Sequence, residues 1–259
     1  MIKSVCIETI FTEAPFKERF QLARQSGFKY IEFWSRQDKN IEQIKHLCEE
    51  YDLKVASFSG DESFSMIAAN ESEQYIEFVE ESINVAKYLS CDYLVIHSNA
   101  LGEGGVVLND YKEISGLVKF TTMYNILNTL APIAEKAKVT LVLEALNTKV
   151  DHAGNFLAYT KDAAELIKMV NSPFIKILYD VYHMQIMEGN LIDNIKRYID
   201  CIGYIHIADV PGRQEPGTGE INYTNILQTV KSLNFTGVVG FELYPSRNSS
   251  EVAQFLANL

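Results

Sequence analysis

The 259-residue sequence has no CxxC pair, no GxGxxG or GxxxxGK[ST] string and no run of the roughly 20 apolar residues that a membrane span needs. Each absence removes a class of protein. The four cysteines, Cys6, Cys48, Cys91 and Cys201, stand far apart, which excludes a zinc ribbon and suits reduced thiols better than a disulfide framework. Without the glycine strings, an open doubly wound sheet loses its usual nucleotide fingerprint. Basic residues are in deficit: the net charge is −11 with no basic cluster, so nucleic acid is not expected as a partner. The opening MIKSVCIETIF lacks a basic segment followed by a long apolar stretch and a cleavage site. A cytoplasmic protein with no membrane partner is expected. The 47% hydrophobic and 22% charged residues are the composition of an ordinary globular protein. The length suits one α/β barrel, so residues 1–259 are expected to form a single domain.

What is present is an alternation. Short β-branched or aromatic runs occupy 3–9, 30–34, 54–59, 93–98, 140–145, 175–180, 204–208 and 238–243. Between them, 16–27, 41–52, 74–90, 120–138, 160–171 and 223–234 have apolar residues at the helical spacing. Gly27, Asn171 and Asn234 fall where three of these helices should stop, as the left-handed cap position prefers. Eight strands separated by crossovers predict a parallel sheet closed into a (β/α)8 TIM barrel. The longest loops follow the third, fourth, fifth and seventh strands, and in a barrel those loops build the face that carries chemistry.

Four of the apolar runs end in a polar residue: Glu144 in VTLVLEA, Asp180 in FIKILYD, His206 in IGYIHIA and Glu242 in GVVGFEL. Each alone is as easily explained by a helix cap or an ion pair. Ending four consecutive strands, they become neighbours around one rim. Carboxylate oxygens and an imidazole suit Mn²⁺, Mg²⁺, Co²⁺ or Zn²⁺, and the lack of a cysteine ligand argues against structural zinc. His183 follows Asp180 by three residues and could reach substrate oxygens. Arg213, within the turn-rich HIADVPGRQEPGTGEINY, suits bidentate capture of a carboxylate or diol, unless it is a surface residue paired with Glu215. Glu32 is placed to touch substrate or a neighbouring ligand. His97, ending the fourth strand, reads as a ligand, a pocket wall or a histidine bonded to backbone. Phe33, Trp34, Phe64, Met66 and Tyr244 are candidate apolar walls. His46 and His152 receive no role.

At these residues the chain resembles the hydroxypyruvate isomerase family of the xylose-isomerase-like TIM-barrel superfamily, over essentially its whole length. FTEAPFKERFQLARQSGFKYIEF resembles the family's opening strand and helix, and DVYHMQIMEGNL and VPGRQEPGTGEINY resemble its strand-six and strand-seven loop signatures. The resemblance implies that Glu144 and Glu242 bind a divalent metal and flank the substrate as acid and base. It implies that Asp180 and His206 complete the metal shell and that His183 and Arg213 orient substrate oxygens. The implied reaction is a 1,2-proton shift through an enediolate in a small hydroxy-carbonyl compound, such as hydroxypyruvate going to tartronate semialdehyde. Two departures pull in opposite directions. Several hydroxypyruvate isomerases carry glutamine where this chain has His206, and histidine is the rule in the related ketose 3-epimerases. Those epimerases follow E-x-L-N-R with a second glutamate, and this chain reads Glu144, Ala145, Leu146, Asn147, Thr148, Lys149. A ketose 3-epimerase of the tagatose or psicose type is therefore the alternative, and a non-catalytic sugar-binding barrel a more distant one. Five histidines and the negative charge disfavour an abasic-site endonuclease. No exposed apolar stripe marks an interface, which leaves a homo-oligomer open.

Overall fold

Runs of four to six apolar residues buried on both faces are the signature of parallel strands covered by helices. A computed structural model describes residues 1–259. Its strands are β1 Ile2–Cys6, β2 Tyr30–Phe33, β3 Lys54–Ser59, β4 Tyr93–Ile96, β5 Thr140–Glu144, β6 Ile175–Asp180, β7 Ile202–Ile207 and β8 Val238–Phe241. All pair in parallel with their sequence neighbours, and β8 pairs with β1, so the sheet closes as a barrel. The helices are α1 Phe16–Gln25, α2 Ile41–Glu50, α3 Ser72–Leu89, α4 Gly116–Ala137, α5 Thr160–Val170, α6 Val181–Met187, α7 Leu191–Tyr198, α8 Tyr223–Ser232 and α9 Ser249–Asn258. None is long and apolar enough to cross a membrane.

Local chemistry fixes the helix ends. Asn40, Ser115, Asn222 and Asn248 each accept a backbone N–H from the first turn of α2, α4, α8 and α9. Gly27, Asn171 and Asn234 have positive φ just past α1, α5 and α8, as their residue types predict. Three helices carry no sequence expectation. Val181, Tyr182, His183 and Met184 of α6 are all buried in succession, so the two-turn helix shows no apolar spacing. Gly189 and Asn190 then separate α6 from the short α7, and α9 packs on α1 after the last strand. The first strand is shorter than its apolar run: Ile10 N–H turns back to Cys6 C=O, which leaves Glu8 and Thr9 in the loop.

Apolar side chains form two layers. The larger lies between the barrel and the helices; the smaller, Ala56, Val95, Val142, Leu178, Tyr204 and Val238, plugs the barrel itself. Above that plug, the register sets Asp180 opposite His206, and His206 opposite Gly240. Gly240 is there for space. A Cβ at this position would lie 2.6 Å from both Glu32 carboxylate oxygens and 2.8 Å from His206 Cδ2. The Gly240→Ala variant is expected to lose about 1–3 kcal/mol in denaturant unfolding, as overpacked cores do. An unchanged midpoint would show that Glu32 and His206 can yield freely.

Candidate active site at the C-terminal rim of the barrel

Glu144, Asp180 and His206 lie at the ends of β5, β6 and β7, and Glu242 directly follows β8. Their exposures of 4, 1, 5 and 8% place them inside the mouth rather than on a solvated edge. Donor atoms of Asp180, His206 and Glu242 all lie within 4.8 Å of one another, and the same holds for Glu144, Asp180 and His183. Asp180 belongs to both groups. Its Oδ1 caps α6, accepting from the N–H groups of Tyr182 (2.7 Å) and His183 (3.2 Å), which leaves Oδ2 aimed at the site.

Buried polar atoms normally have partners. Here Glu144 Oε1, Asp180 Oδ2 and His206 Nδ1 have no hydrogen bond, and all three belong to the converging set. Hard oxygens and an imidazole nitrogen left unpaired in one place fit a divalent cation. A third cluster, Asp151, His152 and His183, lies to one side.

The sequence candidates divide by what they touch. Glu32 has two readings, and the geometry has the neighbouring-ligand one. Its Oε2 accepts from Ser4 (2.7 Å), Ser57 (3.3 Å) and the Tyr204 hydroxyl, and its Oε1 lies 3.4 Å from His206 Nε2. It is a buried support beneath His206. His97 is bonded to carboxylates rather than to backbone carbonyls: Nδ1 lies 3.0 Å from Asp61 Oδ1 and Nε2 3.3 Å from Glu144 Oε2. Asp61 also accepts the His97 backbone N–H and the Tyr75 hydroxyl, which fixes the ring.

His183 lies in the first turn of α6 rather than in a loop, with Nε2 3.8 Å from Glu144 Oε1 and 3.5 Å from Asp180 Oδ2. Arg213 does not pair with Glu215. Its guanidinium bonds Glu242 and lies 3.8 Å from Asp180 Oδ2, while Glu215 is held by Ser246 and Arg247. Of the candidate walls, Trp34 and Tyr244 are partly exposed, and Trp34 Nε1 donates to Glu242 Oε1 at 2.7 Å. Phe33 and Met66 are buried in the outer core and Phe64 packs against it; Phe33, next to Glu32 on β2, points to the opposite face of the strand. His46 is exposed on α2.

Sequence reasoning missed Asp61, Asn147 and His152. Asn147 Nδ2 bonds His183 Nδ1 at 2.7 Å, and His152 Nδ1 bonds Gly105 C=O at 2.7 Å with its ring 5.2 Å from that of His183. Each is a lone polar residue in a loop, with no spacing to single it out. Only the Asn of the E-x-L-N string offered a signal.

The charges shift one another. Burial raises the Asp180 carboxyl to about 7, with Arg213 opposing and Glu144 reinforcing. At Glu242 burial pushes the same way, but Arg213 and His206 outweigh it and hold the carboxyl well below its ordinary range. Burial lowers His206 and His97, yet Glu32 at the first and Asp61 at the second overcome it, and both rise to about 10. His183 is pushed well down by burial and then by Arg213, so its ring is neutral.

Residues 20–259 match the family of xylose isomerase-like TIM barrels. The hydroxypyruvate isomerase of Escherichia coli (strain K12) is 31% identical, over 93% of this chain and 93% of that protein. The 2-oxo-tetronate isomerase of Haemophilus influenzae is 28% identical, over 91% of this chain and 90% of its own. Among solved structures, an AP endonuclease, family 2, from Brucella melitensis superposes with a TM-score of 0.89 at 26% identity, covering 99% and 98% of the two chains. The chain belongs to the xylose isomerase-like TIM barrel family, on its hydroxypyruvate isomerase branch.

Proposed function

We propose that this isomerase moves a proton between adjacent carbons of a small hydroxy-oxo acid, of the size of hydroxypyruvate, with Glu144 and Glu242 as its acid/base pair. The observation that carries the reading is that Asp180 joins two clusters, one with His206 and Glu242 and one with Glu144 and His183, while Glu144 Oε1, Asp180 Oδ2 and both ring nitrogens of His206 are unpaired. Substrate class is supported by the relatives, named for hydroxypyruvate and for 2-oxo-tetronate, both 2-oxo acids with a hydroxyl on the next carbon.

Glu144, Asp180, His206 and Glu242 would hold a divalent cation, Mn²⁺ or Mg²⁺, whose contribution is to stabilise the oxyanion that develops as a proton leaves carbon. One glutamate takes the proton from the carbon that bears the hydroxyl. The C–H electron pair becomes the double bond of an enediolate, and the former carbonyl oxygen takes the charge. A glutamic acid then returns a proton to the neighbouring carbon while the proton of the first hydroxyl passes to the former carbonyl oxygen, so carbonyl and hydroxyl exchange places. His183 orients a substrate oxygen. Arg213, whose Nε has no partner, holds the substrate carboxylate. His97, clamped by Asp61, steadies Glu144.

Epimerisation at C3 of a ketose is the second reading, favoured by His206 and opposed by Thr148, which stands where the arginine would, and by the lack of the second glutamate after it. Assays of Glu144→Gln and Glu242→Gln on hydroxypyruvate and D-fructose separate them. Each variant is expected to lose about 10²–10⁴-fold in turnover of hydroxypyruvate, the usual worth of a proton-transfer group. Full turnover in either would remove the proposed pair, and activity confined to D-fructose would favour the epimerase.

Cation affinity is expected to rise with pH. Asp180 at about 7 and His206 at about 10 hold protons that a ligand must give up, so binding releases protons and acid opposes it. Calorimetric titration with Mn²⁺ in two buffers of different ionisation enthalpy counts them. A count of zero at pH 7, or an affinity flat from pH 6 to 9, would contradict the ligand set.

A further inference from the structure

Asn147 is bonded at every polar atom of its side chain. Its Oδ1 accepts the backbone N–H groups of Val150 (2.9 Å) and Asp151 (3.0 Å), and its Nδ2 donates to Asp151 Oδ2 (2.6 Å). Those three bonds fix which end of the amide is oxygen and which is nitrogen. The remaining Nδ2 hydrogen therefore points at His183 Nδ1, 2.7 Å away, and the Asn147 backbone N–H approaches the same atom at 3.4 Å. Two donors converge on one ring nitrogen. Only a lone pair can receive them, so Nδ1 is unprotonated and the single proton of the neutral ring sits on Nε2.

We infer that Asn147 is a positioning residue that sets the tautomer of His183, so that this histidine presents an N–H, not a lone pair, to the reaction site. Nε2 faces Glu144 Oε1 and Asp180 Oδ2, 3.8 and 3.5 Å away, and both oxygens lack hydrogen-bond partners. An N–H there can donate to a substrate oxygen, and it cannot ligate a cation. The assignment narrows the clusters: His183 offers neither nitrogen to a cation, since Nε2 carries the proton and the Nδ1 lone pair is taken by Asn147, and the set of Asp180, His206 and Glu242 remains. His183 as a donor to substrate rests on the isomerase reading above; the tautomer itself does not.

The test is long-range ¹H–¹⁵N correlation NMR on the full chain labelled with ¹⁵N-histidine, with His183 assigned from its absence in His183→Gln. The expected pattern is a protonated Nε2 and an unprotonated Nδ1, unchanged when Mg²⁺ is added. In Asn147→Asp, a carboxylate replaces the donor and must receive a hydrogen, so the expected pattern gains a proton on Nδ1. With it, kcat/KM on hydroxypyruvate should fall by about tenfold to a hundredfold, the worth of one hydrogen bond to a charged or developing charge. A wild-type ring protonated on Nδ1 overturns the inference, as does a loss of the Nε2 proton on adding Mg²⁺ or an unaltered pattern in a folded Asn147→Asp. If that variant does not fold, the wild-type spectrum still decides. If the spectrum is as expected and hydroxypyruvate is not turned over, the tautomer stands and the substrate reading fails.

Discussion

Five carboxylates, Glu32, Asp61, Glu144, Asp180 and Glu242, are buried in one barrel mouth, and everything else about the site follows from that burden of charge. An anion taken out of water is costly unless it is paired and hydrogen-bonded. The chain meets the cost with Arg213, His97 and His206, with the hydroxyls of Ser4, Ser57, Tyr75 and Tyr204, and with the first turn of α6. The compensation is incomplete: one oxygen each of Glu32, Glu144 and Asp180 and both ring nitrogens of His206 have no hydrogen-bond partner. In the proposed function, that residual charge is what would receive a cation and a polarised substrate.

Rigid strands carry the groups, and a layer beneath aims them. The apolar plug ends at Tyr204, whose hydroxyl helps hold Glu32; Glu32 then faces Nε2 of His206 and leaves Nδ1 toward Glu242, 3.6 Å away. Gly240 leaves the room for this stack. On the opposite side Asp61 holds both the backbone and the ring of His97, which in turn reaches Glu144. Groups held this way are already oriented before substrate arrives, and orientation set in advance is what makes electrostatic stabilisation effective. The loops add the rim: Trp34 donates to Glu242, and the Arg213 carbonyl is held by the Tyr244 backbone N–H.

The parts of this design that a reader of the sequence can find are those where polarity interrupts a pattern. Glu144, Asp180, His206 and Glu242 each end an apolar run, and eight such runs alternating with helical spacing require closure. The supporting layer gives no such contrast. Ser4, Ser57 and Tyr204 lie within strands and are compatible with any buried sheet; only the barrel register brings them to Glu32. Asp61 and Asn147 lie in loops, where polar residues are ordinary, and their importance is three-dimensional. The helix α6 is illegible for a different reason: at two turns, with four of its seven residues buried in succession, it is too short to set a period. Nearness in sequence offers Glu215 as the alternative partner of Arg213, whereas Glu242 is near in space.

The central claim is that this rim exchanges a carbon-bound proton of a hydroxy-oxo acid with its own carboxylates. Proton NMR of hydroxypyruvate in D₂O with the Mg²⁺-loaded protein tests it directly, since a proton lost to a glutamate is replaced from solvent. Deuterium entering the substrate at the hydroxyl-bearing carbon, with an aldehyde signal appearing and both abolished by a chelator, is the predicted result. Binding of hydroxypyruvate with no deuterium uptake at any carbon would contradict the account and leave a barrel that holds its ligand without acting on it.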